Sequence, residues 1–79
     1  MDKQDAIESV IRIANEFIVG NDIQFNETTS SDEIETWDSL AQVEIIMEIE
    51  NKYNVSFNST EIEAFRTIGD MASALHSRL

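Results

Sequence analysis

A serine beside a carboxylate stands where a polar segment changes into an apolar helical run. Asp38, Ser39 and Leu40 open this run, which continues as far as Glu50. Ser39 is therefore predicted at a helix N-terminus, where unpaired backbone N–H groups and the positive end of the helix dipole favour an anion. This position suits a phosphodiester on the Ser39 hydroxyl.

Two other interpretations of Ser39 need no phosphate. As a helix cap, Ser39 fits an S-x-x-Q capping box with Gln42, and Asp38 is an alternative cap one residue earlier. As a hydrolase nucleophile, Ser39 would need a base and an oxyanion hole. His76 is the only histidine and is predicted on the surface of the last helix, and a G-x-S-x-G motif is absent. The local pattern alone favours capping over both kinds of chemistry.

The predicted helix of residues 39–52 is apolar along more than one stripe. One stripe is expected to face the core: Ile45, Ile46, Ile49 and Tyr53. A second line runs from Ser39 and mixes apolar with acidic residues: Leu40, Val43, Glu44, Met47 and Glu48. Either this second line faces a partner, or Val43 and Met47 are ordinary core residues.

A first helix is predicted to begin after the cap Asp2 and to end at Gly20 and Asn21. Its inner stripe recurs at helical spacing: Ala6, Ile7, Val10, Ile11, Ala14, Phe17 and Ile18. Between this helix and Trp37 lies a long polar connection, which four apolar side chains are expected to hold against the helix ends: Ile23, Phe25, Ile34 and Trp37. Trp37 either anchors this loop or marks a docking edge, and Ser30 or Ser31 starts a helical turn that includes Ile34.

Two more helices are predicted after the extended segment 55–57. Asn58 with Glu61 fits a capping box that opens a short helix from Ser59 to Phe65, with Ile62 and Phe65 pointing inward. Thr67 with Asp70 caps the last helix, and Arg78 is favourably placed in its last turn. The predicted inner stripe of this last helix is Ile68, Met71, Ala72, Leu75 and Leu79.

The composition fits one small helical domain over residues 1–79, because the chain has no proline and only two glycines. Its formal net charge of -11 argues against nucleic acid and favours fast, salt-sensitive docking on basic partner surfaces. No apolar run reaches the roughly 20 residues of a membrane span, and no signal-peptide pattern precedes the first helix, so we expect a cytoplasmic monomer without a membrane partner. The chain has no cysteine, and its acidic loop lacks the glycine and alternating ligands of a calcium site, so no metal is expected.

The segment Asp38-Ser39-Leu40, with its acidic helix and the ending Tyr53-Asn54-Val55-Ser56-Phe57, resembles the prosthetic-group site and second helix of acyl and peptidyl carrier proteins. The resemblance extends over essentially the whole chain, since the other helices match in order and length. It implies a four-helix bundle of carrier-protein type, with three longer helices, a short third helix and a long loop between the first two.

The resemblance also implies a function without catalysis. A phosphopantetheinyl transferase would attach 4'-phosphopantetheine from coenzyme A to Ser39, assisted by Asp38, and the thiol of that arm would carry acyl or aminoacyl cargo as a thioester. The resemblance further implies that the line of Leu40, Val43, Glu44, Met47 and Glu48 is the surface on which enzymes with basic patches dock. Phe57, Ile62 and Met47 are the expected lining of a cargo groove.

Two positions depart from the pattern of fatty-acid-synthesis carriers. Ala41 replaces the acid that commonly follows Asp-Ser-Leu, and Thr36 stands where a glycine is common. A dedicated carrier of a secondary-metabolite, polysaccharide-modifying or aminoacyl pathway is therefore expected. The alternative hypothesis is a small acidic interaction module that has no prosthetic group.

Overall fold

Four amphipathic segments of the chain fold into α-helices. The computed structural model describes residues 1–20 and 23–79, which contain α1 (Lys3–Phe17), α2 (Ser39–Tyr53), α3 (Ser59–Ala64) and α4 (Ile68–Ser77). A 3₁₀ turn, Ser31–Glu33, lies in the connection between α1 and α2. The predicted all-α bundle, with three longer helices and a short third one, is confirmed.

Side-chain caps start α1, α3 and α4 at the predicted residues. Asp2 accepts a hydrogen bond from the Asp5 N–H at 2.8 Å. Asn58 with Glu61, and Thr67 with Asp70, both form reciprocal capping boxes. Each cap satisfies backbone donors that a helix start would otherwise leave unpaired, so the predicted caps of these three helices are confirmed.

The first helix was predicted to end at Gly20 and Asn21. The part of this prediction that concerns Gly20 is wrong, and Asn21 lies outside the described residues. α1 ends at Phe17, and the next residue, Ile18, is extended with φ -101° and ψ 113°. Its N–H still bonds to the Ala14 carbonyl oxygen at 2.9 Å, while its side chain is buried in the core. The helix therefore ends where the chain places an apolar side chain inward, and no left-handed glycine is involved.

The core lies where α1 packs against both α2 and α4. Its most completely buried large side chains come from these three helices: Val10, Ile13, Ile45, Ile49, Ile68, Met71 and Leu75. Ile13 is absent from the predicted stripe of α1, whereas the predicted Ile11 and Phe17 are only half-buried at the margin. Leu79 was expected in the core but is 54% exposed, because α4 ends at Ser77 before it can turn Leu79 inward.

The connection between α1 and α2 is held by apolar side chains, as predicted. Ile23, Phe25 and Ile34 are half-buried against the core, and Trp37 is buried. The 3₁₀ turn begins at Ser31, one of the two predicted starts, but it ends before Ile34. At the other end of α2, Asn54 adopts a left-handed conformation with φ 54° and stops the helix.

Candidate functional site

Asp38, and not Ser39, caps α2. The Asp38 backbone is extended, and its Oδ1 atom accepts a hydrogen bond from the Ala41 N–H at 2.9 Å. The Asp38 carbonyl oxygen accepts the Gln42 N–H at 3.0 Å. Ser39 is thus the first residue of the helix, and it is exposed. Of the two predicted caps, Asp38 is confirmed.

The predicted capping box between Ser39 and Gln42 is wrong, because the Gln42 side chain has another partner. Its Oε1 atom accepts a hydrogen bond from the Trp37 indole Nε1–H at 2.6 Å. This bond joins the residue before Asp38 to the first full turn of α2. Asp38 and Ser39 lie between its two ends in the chain.

Trp37 anchors the loop that leads into the site. It is 4% exposed, and its ring meets the ring of Phe25 edge to face, with centroids 6.3 Å apart. Its backbone N–H bonds to the Ile34 carbonyl oxygen at 3.1 Å. Of the two predicted roles of Trp37, the loop anchor is therefore confirmed.

An open cavity of about 440 Å³ lies beside Ser39. One part of its wall comes from the start of α2 and the two residues before it, and the other parts come from the 3₁₀ turn, α3 and the connection to α4. The lining residues are Ser31, Asp32, Trp37, Asp38, Ser39, Gln42, Ile62, Glu63, Phe65 and Arg66. The exposed hydroxyl thus has an adjoining space with both polar and apolar walls.

Backbone hydrogen bonds connect the walls that face α2. The Ser31 N–H donates to the Arg66 carbonyl oxygen at 3.0 Å, and the Ile68 N–H donates to the Thr29 carbonyl oxygen at 3.1 Å. A further bond from the Gly69 N–H to the Glu27 carbonyl oxygen measures 2.8 Å. The first of these bonds holds the loop to the connection from α3 to α4 at the cavity wall, and the other two hold the loop to the first turn of α4 away from the cavity.

α3 is short, and contacts with the end of the chain help to hold it. The Arg78 guanidinium forms an ion pair with Glu61 and lies 4.8 Å from the centroid of the Phe57 ring. The hydrogen bond from Arg78 is the main cause that lowers the pKa of Glu61, followed by the hydrogen bond from the Asn58 backbone. Phe57 in turn meets Phe65 edge to face at 5.4 Å.

Residues 4–75 match the protein-family model described as the phosphopantetheine attachment site, PP-binding. This match includes nearly all of α1 and α4 and the whole of α2 and α3. The chain belongs to the phosphopantetheine-binding carrier family. Its cofactor is therefore 4'-phosphopantetheine, which these domains hold covalently. Domains of this family are generally non-catalytic carriers that interact with phosphopantetheinyl transferases and biosynthetic enzymes.

The residues of this carrier fit such a group. Ser39 provides an exposed hydroxyl at the first position of a 15-residue helix, where the helix dipole favours a phosphate. The cavity beside it is open to solvent and leaves room for a flexible chain. Within the described residues, no cluster of three or more side chains of the metal-binding types is found.

The second line of predicted residues forms the outer face of α2, defined as Leu40, Val43, Glu44, Met47 and Glu48. Leu40 is 67% exposed, Val43 50% and Met47 55%, while Glu44 and Glu48 are partly exposed. The interpretation of Val43 and Met47 as core residues is therefore wrong. These apolar side chains are available to a partner of the carrier.

The predicted groove residues occupy different places. Ile62 lines the cavity beside Ser39, Phe57 is buried behind Phe65, and Met47 lies on the outer face of α2. Arg66, Ser31 and Asp32 line the cavity but were not predicted from the sequence. Their positions depend on the loop reaching across to the connection between α3 and α4, and no local pattern signals that contact.

His76, the only histidine, lies exposed in the last turn of α4 and is not part of the cavity wall. A lone exposed imidazole outside that wall offers Ser39 no positioned general base. Across residues 1–20 and 23–79, the helices fall short of the length and apolar character that crossing a bilayer requires.

Proposed function

We propose that the chain is an acyl carrier protein whose 4'-phosphopantetheine is attached to the Ser39 hydroxyl. The observation that carries this proposal is the exposure of Ser39 at the first position of α2, directly after its cap and beside an open cavity. Once bound, the group supplies a terminal thiol that holds acyl or aminoacyl cargo as a reactive thioester. The chain itself supplies the attachment point and recognition, and its partner enzymes supply the catalysis.

Asp38 has a positioning role in this proposal. Its hydrogen bond to the Ala41 N–H determines that α2 begins at Ser39 and not one residue later. The hydroxyl consequently stands at the end of the helix, where an incoming transferase can reach it. The positive end of the helix dipole also stabilises the phosphodiester after transfer.

The outer face of α2 is the proposed docking surface for the transferase and for the acyl- or aminoacyl-transferring enzymes. Its exposed apolar side chains start next to Ser39 and continue along the helix, so a bound partner would lie close to the attachment point. Glu44 and Glu48 supply charge for attraction to basic patches, in keeping with the net charge of -11.

The cavity beside Ser39 is the proposed shelter for the arm and its cargo. Ile62 and Phe65 give it an apolar side, and Phe57 supports that side from behind. Its polar lining residues include the charged residues Asp32, Glu63 and Arg66. Such mixed walls suit a polar arm better than a purely apolar pocket would, and they support a dedicated carrier over a storage site for long acyl chains.

Intact mass spectrometry tests the attachment. The unmodified protein is incubated with coenzyme A and a broad-specificity phosphopantetheinyl transferase, and one phosphopantetheine increment is expected. Ser39→Ala should show none. Ser59→Ala is the matched control, because Ser59 is also an exposed first helical residue that follows a side-chain cap. This control should be modified like the wild type.

The alternative is an acidic interaction module without a prosthetic group. The exposed apolar residues of the outer face of α2 suit that role as well. Absence of the increment, under conditions that modify a control carrier, would favour the interaction module. Uptake by Ser39→Ala would instead show that the attachment site is another residue.

A further inference from the structure

A hydrogen bond between two side chains spans the attachment segment. The Trp37 indole Nε1–H donates to the Gln42 Oε1 atom at 2.6 Å. Trp37 is 4% exposed and Gln42 is half-buried, so the bond is shielded from much of the solvent. Both residues line the cavity beside Ser39.

The bond joins the loop to the first full turn of α2. Trp37 belongs to the loop, where its ring packs on Phe25 and its backbone bonds to Ile34. Gln42 belongs to the first full turn of α2, and its N–H bonds to the Asp38 carbonyl oxygen. Asp38 and Ser39 are therefore fixed from both sides.

We propose that Trp37 and Gln42 are a positioning pair that orients Ser39 for phosphopantetheine transfer. This inference rests on the proposed function, because it takes Ser39 as the attached residue. Neither side chain touches the reacting hydroxyl in the proposed step, and both act through the backbone that carries it.

The physical reason is pre-organisation. Helix ends fray easily, and an exposed first residue has few contacts of its own to hold it. A buried indole N–H needs an acceptor, so the bond to Gln42 favours one arrangement of the junction. Ser39 then loses less conformational entropy when a transferase binds the carrier. More of the binding energy is therefore left to accelerate the transfer step.

Two variants remove the bond from opposite ends. Trp37→Phe keeps an aromatic ring against Phe25 but removes the donor, and Gln42→Leu removes the acceptor. In the reaction of the unmodified carrier with coenzyme A and a transferase, each variant should lower kcat about three- to tenfold, the range that one net hydrogen bond supplies. KM for the carrier should stay within about twofold, because the outer face of α2 is unchanged.

Two further variants separate positioning from packing. Gln42→Glu keeps an acceptor for the indole and should restore kcat to near the wild-type value. The double variant Trp37→Phe with Gln42→Leu should transfer no more slowly than the slower single variant, because both substitutions remove the same bond.

The single tryptophan permits a readout that does not depend on the transferase. One indole N–H signal is expected in a nitrogen-15 correlation spectrum, and its hydrogen exchange reports directly on the bond. Exchange should be slow in the wild type and in Gln42→Glu, and faster in Gln42→Leu.

Tyr53→Phe is the matched control for lost stability. It removes the hydrogen bond between the Tyr53 and Ser9 hydroxyls, which joins α1 to the far end of α2. All variants are assayed at a temperature at which circular dichroism shows them folded. Tyr53→Phe should lower the thermal midpoint and leave kcat unchanged.

The outcomes distinguish this inference from the proposed function. If the wild type is modified on Ser39 while Trp37→Phe and Gln42→Leu keep the wild-type kcat, the proposal that Trp37 and Gln42 orient Ser39 is wrong. The proposed attachment at Ser39 would still be supported. If Tyr53→Phe lowers kcat as much as they do, the effect follows stability, and the positioning pair is again wrong. If the wild type is not modified, or Ser39→Ala still is, the proposed function fails together with this inference.

Discussion

Arg78 donates a hydrogen bond from its guanidinium to the Glu61 carboxylate and thereby joins the residue after α4 to α3. A second bond, from Arg78 Nε to the Ser56 carbonyl oxygen, measures 2.8 Å. The same guanidinium lies over the Phe57 ring. Through these contacts the end of the chain supports the six-residue helix that forms one wall of the cavity beside Ser39.

The ion pair predicts a dependence of stability on pH. The hydrogen bond from Arg78 lowers the pKa of Glu61 from its ordinary value of 4.5. A carboxyl group whose folded-state pKa is lowered stabilises the fold above its unfolded pKa, and this stability is lost as the pH falls through the folded-state pKa. The free energy of unfolding should therefore fall more in the wild type than in Glu61→Gln when the pH is lowered from neutral to below 4.5.

Urea unfolding at the two pH values measures this difference. Glutamine at position 61 can still complete the capping box with Asn58, so the variant isolates the charge. Glu63→Gln removes an exposed carboxylate from the same helix and serves as the control, which should behave like the wild type. A parallel loss of stability in the wild type and Glu61→Gln would contradict the role of the ion pair.

Gly69→Ala should destabilise the carrier. A Cβ atom at position 69 would lie 2.9 Å from the Glu27 carbonyl oxygen. This oxygen already accepts a hydrogen bond from the Gly69 N–H, so it cannot easily move away. The expected cost is about 1–3 kcal/mol, which exceeds the gain of about 0.5–1 kcal/mol from replacing glycine in a helix. In a domain of this size, each kcal/mol lowers Tm by about 4–8 °C.

Gly20→Ala is the comparison for this variant. A Cβ atom at position 20 would meet the side chain of Ile23, which can move aside. A Cβ atom at position 69 would meet the backbone of Glu27, which cannot move as easily. Thermal unfolding followed by circular dichroism should show the larger loss in Gly69→Ala. A Tm for Gly69→Ala at or above that of the wild type would refute the close approach of the loop to α4.

The two faces of α2 should respond differently to truncation. Ile49→Ala removes a completely buried side chain and should cost about 2–5 kcal/mol. Met47→Ala, two residues earlier, alters an exposed side chain and should change the free energy of unfolding by no more than about 0.5 kcal/mol. Urea unfolding measures both, and a large loss in Met47→Ala would place Met47 in the core.

Charge reversal should reveal the docking surface. Glu44→Lys with Glu48→Lys should slow phosphopantetheine transfer about tenfold at low salt, because the carrier loses attraction to a basic partner. The difference from the wild type should shrink as salt rises. Transfer rates at low and high ionic strength test both statements.

The control has the same change in net charge. Glu8→Lys with Glu16→Lys alters two exposed residues of α1 and leaves the outer face of α2 intact. This double variant should transfer at close to the wild-type rate. Equal slowing in the two double variants would mean that overall charge, and not the outer face of α2, sets the encounter rate.

Local patterns predicted the parts of this fold that depend on local interactions. The capping boxes at Asn58 and Thr67 involve partners three residues away, so the sequence alone was sufficient. The box between Ser39 and Gln42 was predicted by the same rule and was wrong, because Trp37 takes the Gln42 side chain. Trp37 lies outside the four residues of the motif, so the motif alone does not indicate that Trp37 binds the Gln42 side chain.

The cavity was only partly predictable for a related reason. Ser39 and Ile62 were singled out from their own helices, and both lie in its wall. Arg66 and Ser31 reach the wall through a backbone hydrogen bond between segments 35 positions apart in sequence, which no periodicity reports. The prediction that Leu79 lies in the core was wrong for a simpler reason, because α4 ends at Ser77.

The central claim is that the Ser39 hydroxyl carries the prosthetic group. Tandem mass spectrometry of a proteolytic digest, after transfer from coenzyme A, tests it most directly because it locates the modified residue. The account predicts phosphopantetheine on the peptide that contains Ser39, with fragment ions that assign it to that serine. Phosphopantetheine on any other residue, or a modified protein whose Ser39 peptide is unaltered, would contradict it.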